Sequence, residues 1–476
     1  MTGKSIGKIA LLFLALTSIT AFIFWLSFDP VESLSLNVPG LDNRPALKLD
    51  TSSSVIIGEK FTFLKEYTGS QTGKWPHFRG GDFDNVNKEA IKLIDTFGNE
   101  GPKILWKMDL GEGHAAAAIY NGKVYVLDYN EAKKTDVLKC VELETGEELW
   151  RRSYSVHIKR NHGISRTIPA VNDLYVVTVG PKGHVMCVSS KDGALLWGID
   201  LEKEYGTEIP FWNTGQCPLI DNNVAIIAPG GKSLLIGVDC ATGKVLWQTP
   251  NPGTWKMSHS SVMPMTFGGK KMYVYAALGG ICGVSAETTD AGKLLWKTSE
   301  FAPNVLAPSP LILDKGKIFI TAGYGAGSML FSLQKNGDAF SVNVLQKFLP
   351  VDGVASEQQT PVYYNGRVFA ILPKDAGGLR NQFVCCNPDD FKNILWTSGK
   401  DARFGLGPYI VADGKFFIVD DDGTLTIAEA RTDKFVLLSK TKIIDGQDAW
   451  GPIAIADGRL IMRDSKQMVC IDIRKY

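Results

Sequence analysis

The sequence predicts an all-β protein: an eight-bladed β-propeller closed by strands from the N- and C-terminal parts of the chain, preceded by one N-terminal transmembrane helix. Three observations lead there. Tryptophans recur about every fifty residues, a proline landmark recurs with the same spacing, and the chain opens on an uninterrupted apolar run. The 476 residues are long enough for one large repeat domain, and 45% apolar with 21% charged residues is the balance of a folded soluble body. Lys plus Arg number 51 against 50 Asp plus Glu, so net charge gives no reason to expect nucleic acid as a partner.

The apolar run extends from Ile9 to Phe28 without a charge. Twenty residues at helical rise cover about 30 Å, the thickness of a bilayer core. Lys4 and Lys8 precede the run while Asp29 and Glu32 follow it, which puts the N-terminus in the cytoplasm and everything downstream outside, in the periplasm. A cleaved signal peptide is the competing reading. It calls for a shorter apolar core and a small-x-small site, whereas this run ends on Ile23, Phe24, Trp25 and Leu26. Residues 1–28 are therefore expected to be an inner-membrane anchor. Residues 29–74, rich in Ser, Thr, Pro and Gly, read as a linker, and residues 75–476 as the propeller.

Within that body, tryptophans stand at 106, 150, 197, 247, 296 and 396, with separations of 44, 47, 50, 49 and 100. Four follow a glycine turn: Thr145-Gly146-Glu147-Glu148-Leu149-Trp150, Asp192-Gly193-Ala194-Leu195-Leu196-Trp197, Thr242-Gly243-Lys244-Val245-Leu246-Trp247 and Ala291-Gly292-Lys293-Leu294-Leu295-Trp296. Each reads as strand, tight turn, strand ending in Trp. Independently, a proline leading into a β-rich run recurs at Pro169, Pro218, Pro264, Pro310, Pro361, Pro408 and Pro452, with Ala117 in the eighth slot. Eight units of four strands each are the sign of a propeller. The unit at Pro452 reaches Tyr476 before its outer strand, and the Trp106 strand has no inner strand of its own. The Trp106 strand is thus expected to complete the last blade, which removes the exposed edges of an open array.

The Thr-Gly-x-x-Leu-Trp repeats, together with Trp75-Pro76-His77-Phe78-Arg79-Gly80, resemble the pyrroloquinoline-quinone-like repeat propellers, over about Trp75 to Tyr476. That group includes quinoprotein alcohol dehydrogenases and the propeller subunit of the bacterial outer-membrane barrel assembly machinery. The resemblance implies the fold. For the dehydrogenases it would further imply pyrroloquinoline quinone with calcium, carboxylate and amide ligands, a catalytic Asp and a vicinal disulfide. The ligands of that set have no matching positions in this sequence. Cys385-Cys386 is the one vicinal pair, but Cys386 lies ten residues before Trp396, as Cys140 and Cys187 lie before Trp150 and Trp197, so it reads as an ordinary strand position. Neighbouring side chains in a strand face opposite ways, and the eight cysteines read as small buried hydrophobes.

Other motifs give way to turns. Asp420-Asp421-Asp422-Gly423 would put Ile418 at the first ligand position of a calcium loop, and its flanks alternate like strands, so it is a hairpin turn. Gly231-Lys232-Ser233 lacks the first glycine of a phosphate loop. Gly323-Tyr324-Gly325-Ala326-Gly327 lacks the strand-helix setting of a dinucleotide site and reads as a hairpin. No metal site and no catalytic residue is predicted.

A site is expected where the loops entering the inner strands converge on the channel rim. Those loops carry His114; Arg160, His162 and Arg166; Trp212, Asn213 and Gln216; Trp255 and His259; Asn304; Glu357 and Gln358; Arg403; and Asp448 with Trp450. Such a mixture of His, Arg, amide and Trp suits a small polar or anionic ligand, or a protein partner held by aromatic and arginine anchors. Ordinary loop decoration is the plain alternative. The expected function is a membrane-anchored, extracytoplasmic binding scaffold with no cofactor, in a setting such as envelope assembly. A quinoprotein oxidoreductase is the alternative, and a carbohydrate-binding role is a weaker third reading.

Overall fold

The computed structural model describes residues 3–28 and 55–476. One unit holds the helix Gly3–Ser27, whose 25 residues include the apolar stretch from Lys8 to Ser27. Its length and composition serve a membrane span or a signal sequence alike. The part of the expected linker before Val55 lies outside the described residues.

The second unit, Val55–Tyr476, is the propeller. Among the described residues its strands form eight sheets, each built around four antiparallel strands. Blade 1 comprises Ala118–Tyr120, Lys123–Asn130, Thr135–Glu142 and Glu148–Ser155, and blades 2 to 7 follow in chain order. Blade 8 takes Ala454–Ala456, Arg459–Arg463 and Gln467–Asp472 from the end of the chain and its outer strand, Lys103–Asp109, from the beginning. The expected closure is therefore the closure observed.

The tryptophan period has a steric cause. In six blades the outer-strand Trp lies opposite a Cys or Gly of the third strand: Cys140 with Trp150, Cys187 with Trp197, Gly237 with Trp247, Gly283 with Trp296, Cys385 with Trp396 and Cys470 with Trp106. A bulge follows each of these pairs. The small partner makes room for the indole: a Cβ on Gly237 would sit 2.2 Å from the Trp247 ring. In blade 6 the equivalent position is Cys385 and not Cys386 as the spacing suggested, because that hairpin turns at Asn387 and Asp390 and is one residue longer. As expected, the two cysteines face opposite ways. Cys386 packs between blades 5 and 6, and Cys385 between blades 6 and 7.

Each of four indoles also rests on the turn glycine of the following blade. Trp106 lies on Gly146, Trp150 on Gly193, Trp197 on Gly243 and Trp247 on Gly292, where a Cβ would come within 2.5, 2.8, 2.7 and 2.7 Å of the ring. At Gly146 the backbone φ of +70° independently favours glycine. Trp106 also donates its indole N–H to the Leu143 carbonyl at 2.8 Å, so the last blade docks on the first by the contact that also joins blades 1 to 2, 2 to 3 and 3 to 4.

The lead-in segment runs across the axis. Lys74–Trp75 pairs with the inner strand of blade 1, and the Pro76 carbonyl accepts from the Val171 N–H of blade 2. Arg79, 4% exposed, donates to the carbonyls of Thr360 and Pro361 in blade 6 at 2.8 and 2.9 Å. Val86–Asn87 then joins blade 7, and Asn87 donates to the Ile455 carbonyl of blade 8. Gly80 closes the turn beneath the Trp75 ring, which a Cβ would approach to 2.6 Å. Part of the expected linker belongs to the propeller too: Lys60–Phe63 pairs antiparallel with the outer strand of blade 1.

Trp106→Ala is expected to lower the stability of the whole propeller by about 3–5 kcal/mol, since it empties a buried aromatic site at the closing contact. Trp396→Ala, at a half-buried ring, should cost less. Urea unfolding followed by circular dichroism checks both. Closure by this strand is wrong if the Trp106 variant unfolds like the parent.

Candidate functional site

The residues just before the landmark prolines meet at the axis. There a backbone N–H from one blade is satisfied by a side chain from the next. Ile168 donates to Cys217 Sγ (3.3 Å), Cys217 to Ser261 Oγ (3.0 Å), Ser261 to Ser309 Oγ (2.8 Å) and Ser309 to Thr360 Oγ1 (2.8 Å). This belt links blades 2 to 6. Above it lies a cavity of about 380 Å³, lined at depth by Ile168, Cys217 and Ser261. Phe78 of the lead-in segment also lines it, so the segment that crosses the axis forms part of its wall.

Eight of the sequence-predicted residues line this cavity: His114, His162, Arg166, Trp212, His259, Glu357, Gln358 and Trp450. Five stand elsewhere. Arg160 pairs with Glu112 on the exposed surface. Gln216 is buried, with its amide held by the Ala228 N–H and carbonyl at 2.9 and 3.1 Å. Asn213 is buried in a turn with φ +67°. Arg403 donates to the Arg380 and Lys400 carbonyls, and Asp448 accepts at its own carbonyl from the Trp450 N–H. Of the other loop residues, Trp255 packs against Gly279 and Gly280, and Asn304 does not line the cavity. The structure adds Phe78, Tyr324, Gln359 and Lys374.

Two aromatic groups face the space. His114 stacks on Trp450 with centroids 5.2 Å apart, and His162 lies 5.2 Å from the same ring. Trp212 runs parallel to Tyr324 at 5.9 Å and lies 6.3 Å from His259. Gln359 holds the Trp450 loop through a 3.0 Å bond to its carbonyl. Glu357 is buried and reaches Lys374 at 3.8 Å, in a position that requires Gly323, since a Cβ there would meet Glu357 Cγ at 2.3 Å.

Burial governs the charges. It pushes His114 down to about 3, with Arg166, Arg463 and His162 adding to the effect. It pushes His259 down to about 4, again with Arg166 contributing. Both imidazoles are consequently neutral at pH 7. Burial raises the Glu357 carboxyl, against the pull of Lys374. It lowers Arg166 to about 10, which leaves the guanidinium charged at neutral pH. Arg166 donates to the carbonyls of His162 and Gly163, and among the described residues it has no carboxylate within salt-bridge distance. Arg166 therefore brings to the cavity wall a positive charge that no carboxylate among the described residues meets within salt-bridge distance.

The residues present do not fit the calcium and quinone arrangement that the resemblance implies for dehydrogenases. Glu357 is the only carboxylate among the lining residues, and it is engaged with Lys374. No group of three or more His, Cys, Asp or Glu suited to a metal occurs among the described residues. Cys385 and Cys386 are buried on opposite faces of blade 6, away from the lining.

Removing the Arg166 charge should raise the pKa of both His114 and His259, without returning either to the ordinary 6.5 because burial is the larger cause. Histidine-selective NMR titration of Arg166→Gln checks this. Unmoved imidazoles would mean that the guanidinium charge does not reach the cavity.

Comparison with known proteins bears on the scaffold. The chain resembles the crystal structure of BamB from Moraxella catarrhalis at 12% identity and a TM-score of 0.50, covering 78% of this chain and 99% of that one. It resembles a europium-containing methanol dehydrogenase at 11% identity and a TM-score of 0.57, covering 84% and 89%. It also resembles the quinohemoprotein alcohol dehydrogenase of Comamonas testosteroni at 11% identity and 0.55, covering 85% and 81%. At such identities the likeness is one of fold. No curated protein matches the chain. The family model described as outer membrane protein assembly factor BamB matches residues 133–371. That span is half of the chain and runs from blade 1 to blade 6, and with the eight closed blades it establishes that this protein belongs to the PQQ-like repeat propeller family of that description.

Proposed function

We propose that this protein is a binding propeller, tethered to the inner membrane by its N-terminal helix and working in the periplasm, whose axial cavity captures an anionic group. The observation that carries the reading is Arg166, a charged guanidinium at the wall of a cavity of mixed polar and aromatic lining, with no carboxylate among the described residues within salt-bridge distance. A charge partly withdrawn from water attracts a counter-ion more strongly than the same charge in bulk solvent. Neutral His114 and His259 offer hydrogen bonds without competing charge, and Trp212 and Trp450 offer flat faces to the body of a ligand. The tether is supported by the lysines before the apolar helix and the acids after it. A role in envelope assembly accords with the family.

The test uses the full chain in detergent. Titration with glucuronate, followed by tryptophan fluorescence, should give a saturable signal that weakens with salt. Arg166→Gln should reduce the affinity about tenfold or more, since a charged hydrogen bond is worth about 1.5–3 kcal/mol. The reading fails if no saturable signal is seen. It also fails if the protein takes up stoichiometric pyrroloquinoline quinone with calcium and then reduces a redox dye, which would restore the oxidoreductase alternative.

A further inference from the structure

Resting on that reading, we infer that the anionic group is the carboxylate of an aspartate or glutamate in a partner protein, presented on a segment that crosses the cavity mouth between apolar residues. The argument comes from what a small ligand would leave uncovered. A molecule filling about 380 Å³ reaches Trp212 and Trp450, which line the cavity. It does not reach Phe211, which is 78% exposed and packs edge-on against Trp212 at 5.3 Å, nor the outer face of Tyr324, which is 57% exposed. Phe211, Trp212 and Tyr324 form one run of touching rings from the loop entering blade 3 to the hairpin of blade 5. A single exposed aromatic residue calls for no partner. Three in contact, at the mouth of a cavity with an unpaired arginine, have the composition of an interface hot spot, where large aromatic and arginine side chains carry most of the binding energy.

Charge selects the occupant. Arg166 shares the cavity wall with His114 and His259, and it donates only to the His162 and Gly163 carbonyls. Lys374 stands 5.6 Å over the Tyr324 ring, where its charge is met by Glu357 at 3.8 Å, which leaves Arg166 as the cation open to a ligand. That guanidinium favours an acidic side chain entering from the rim and disfavours a basic one. An apolar neighbour on the same segment would then lie on Phe211 and Tyr324 and remove them from water, about 25 cal/mol for each Å² covered.

Selection of phage-displayed random peptides on the full chain in lipid nanodiscs tests the inference. Enriched peptides should share an Asp or Glu flanked by apolar residues. A synthetic peptide from that pool should bind at least tenfold more weakly when its acid is changed to the amide, and at least tenfold more weakly to Arg166→Gln. Phe211→Ala should weaken the peptide severalfold while leaving glucuronate binding unchanged, because Phe211 lies outside the cavity. Should Arg166→Gln fail to fold, the amide-substituted peptide decides alone. Enriched peptides without an acidic position, or equal affinity of the acid and amide forms, overturn the inference, as does a Phe211→Ala variant with full peptide affinity. Glucuronate binding alongside any of these failures sinks only the protein-partner inference, and loss of both signals sinks the anion cavity itself.

Discussion

The seating of an outer-strand tryptophan on the turn glycine of the next blade sets the dimensions of everything else. All six rings need a Cys or Gly opposite them in their own sheet, and four of them, Trp106, Trp150, Trp197 and Trp247, also need a glycine beneath them in the neighbour. The first comes with a bulge that sharpens the local twist of the outer strand. The second fixes the spacing between sheets, because a side chain on that turn would push the blades apart. Trp106 repeats the contact on Gly146 although some 350 residues separate its strand from the rest of blade 8. Closure is therefore one more copy of the dock that joins blades 1 to 4.

A ring of this kind leaves a channel at its axis, and the lead-in segment decides what the channel becomes. Trp75, Gly80 and Arg79 lock that segment to blades 1 and 6, and Phe78 is left facing the cavity. Arg79 spends its hydrogen bonds on backbone carbonyls, as Arg463 does at the junction of blades 8 and 1. Burial lowers both to about 10, and both serve to join segments of backbone. Arg166 is lowered to the same degree and has only two carbonyl partners. The contrast between two arginines absorbed by the scaffold and one left at a cavity wall separates architecture from site.

Much of this was legible in the sequence, for a physical reason. Blade number follows from Trp and Pro spacing because both residues sit at fixed points of each sheet, and the strand of Trp106 announces closure because it has no inner strand to join. The loops entering the inner strands could be named, which brought His114, Arg166, Trp212 and Glu357 to one place. Tyr324 and Lys374 were missed because they lie on the loops between second and third strands, which return to the same face by strand reversal and carry no periodic marker. Gln216 misled because a polar residue in such a loop can equally turn inward and satisfy backbone, as its amide does at Ala228. Lys60–Phe63 alternates polar and aromatic residues as a strand does, but the run is only four residues long and stands in a stretch whose composition reads as a linker, so it escaped notice.

The same division explains how one fold accommodates proteins as different as an assembly factor and a methanol dehydrogenase. The tryptophan docks and the axial belt draw on strand ends and turns, while the rim residues answer to none of those contacts. Substitution at His114, Trp212 or Glu357 alters what the cavity attracts while leaving the tryptophan docks in place. In this chain the rim holds a single carboxylate engaged by a lysine, two neutral imidazoles and an unpaired guanidinium. Such a set is poor in the oxygen donors that a hard cation requires and well supplied with donors for an anion. The chemistry of the cavity thus follows from which polar groups the scaffold leaves unused, and those are groups that recognise negative charge.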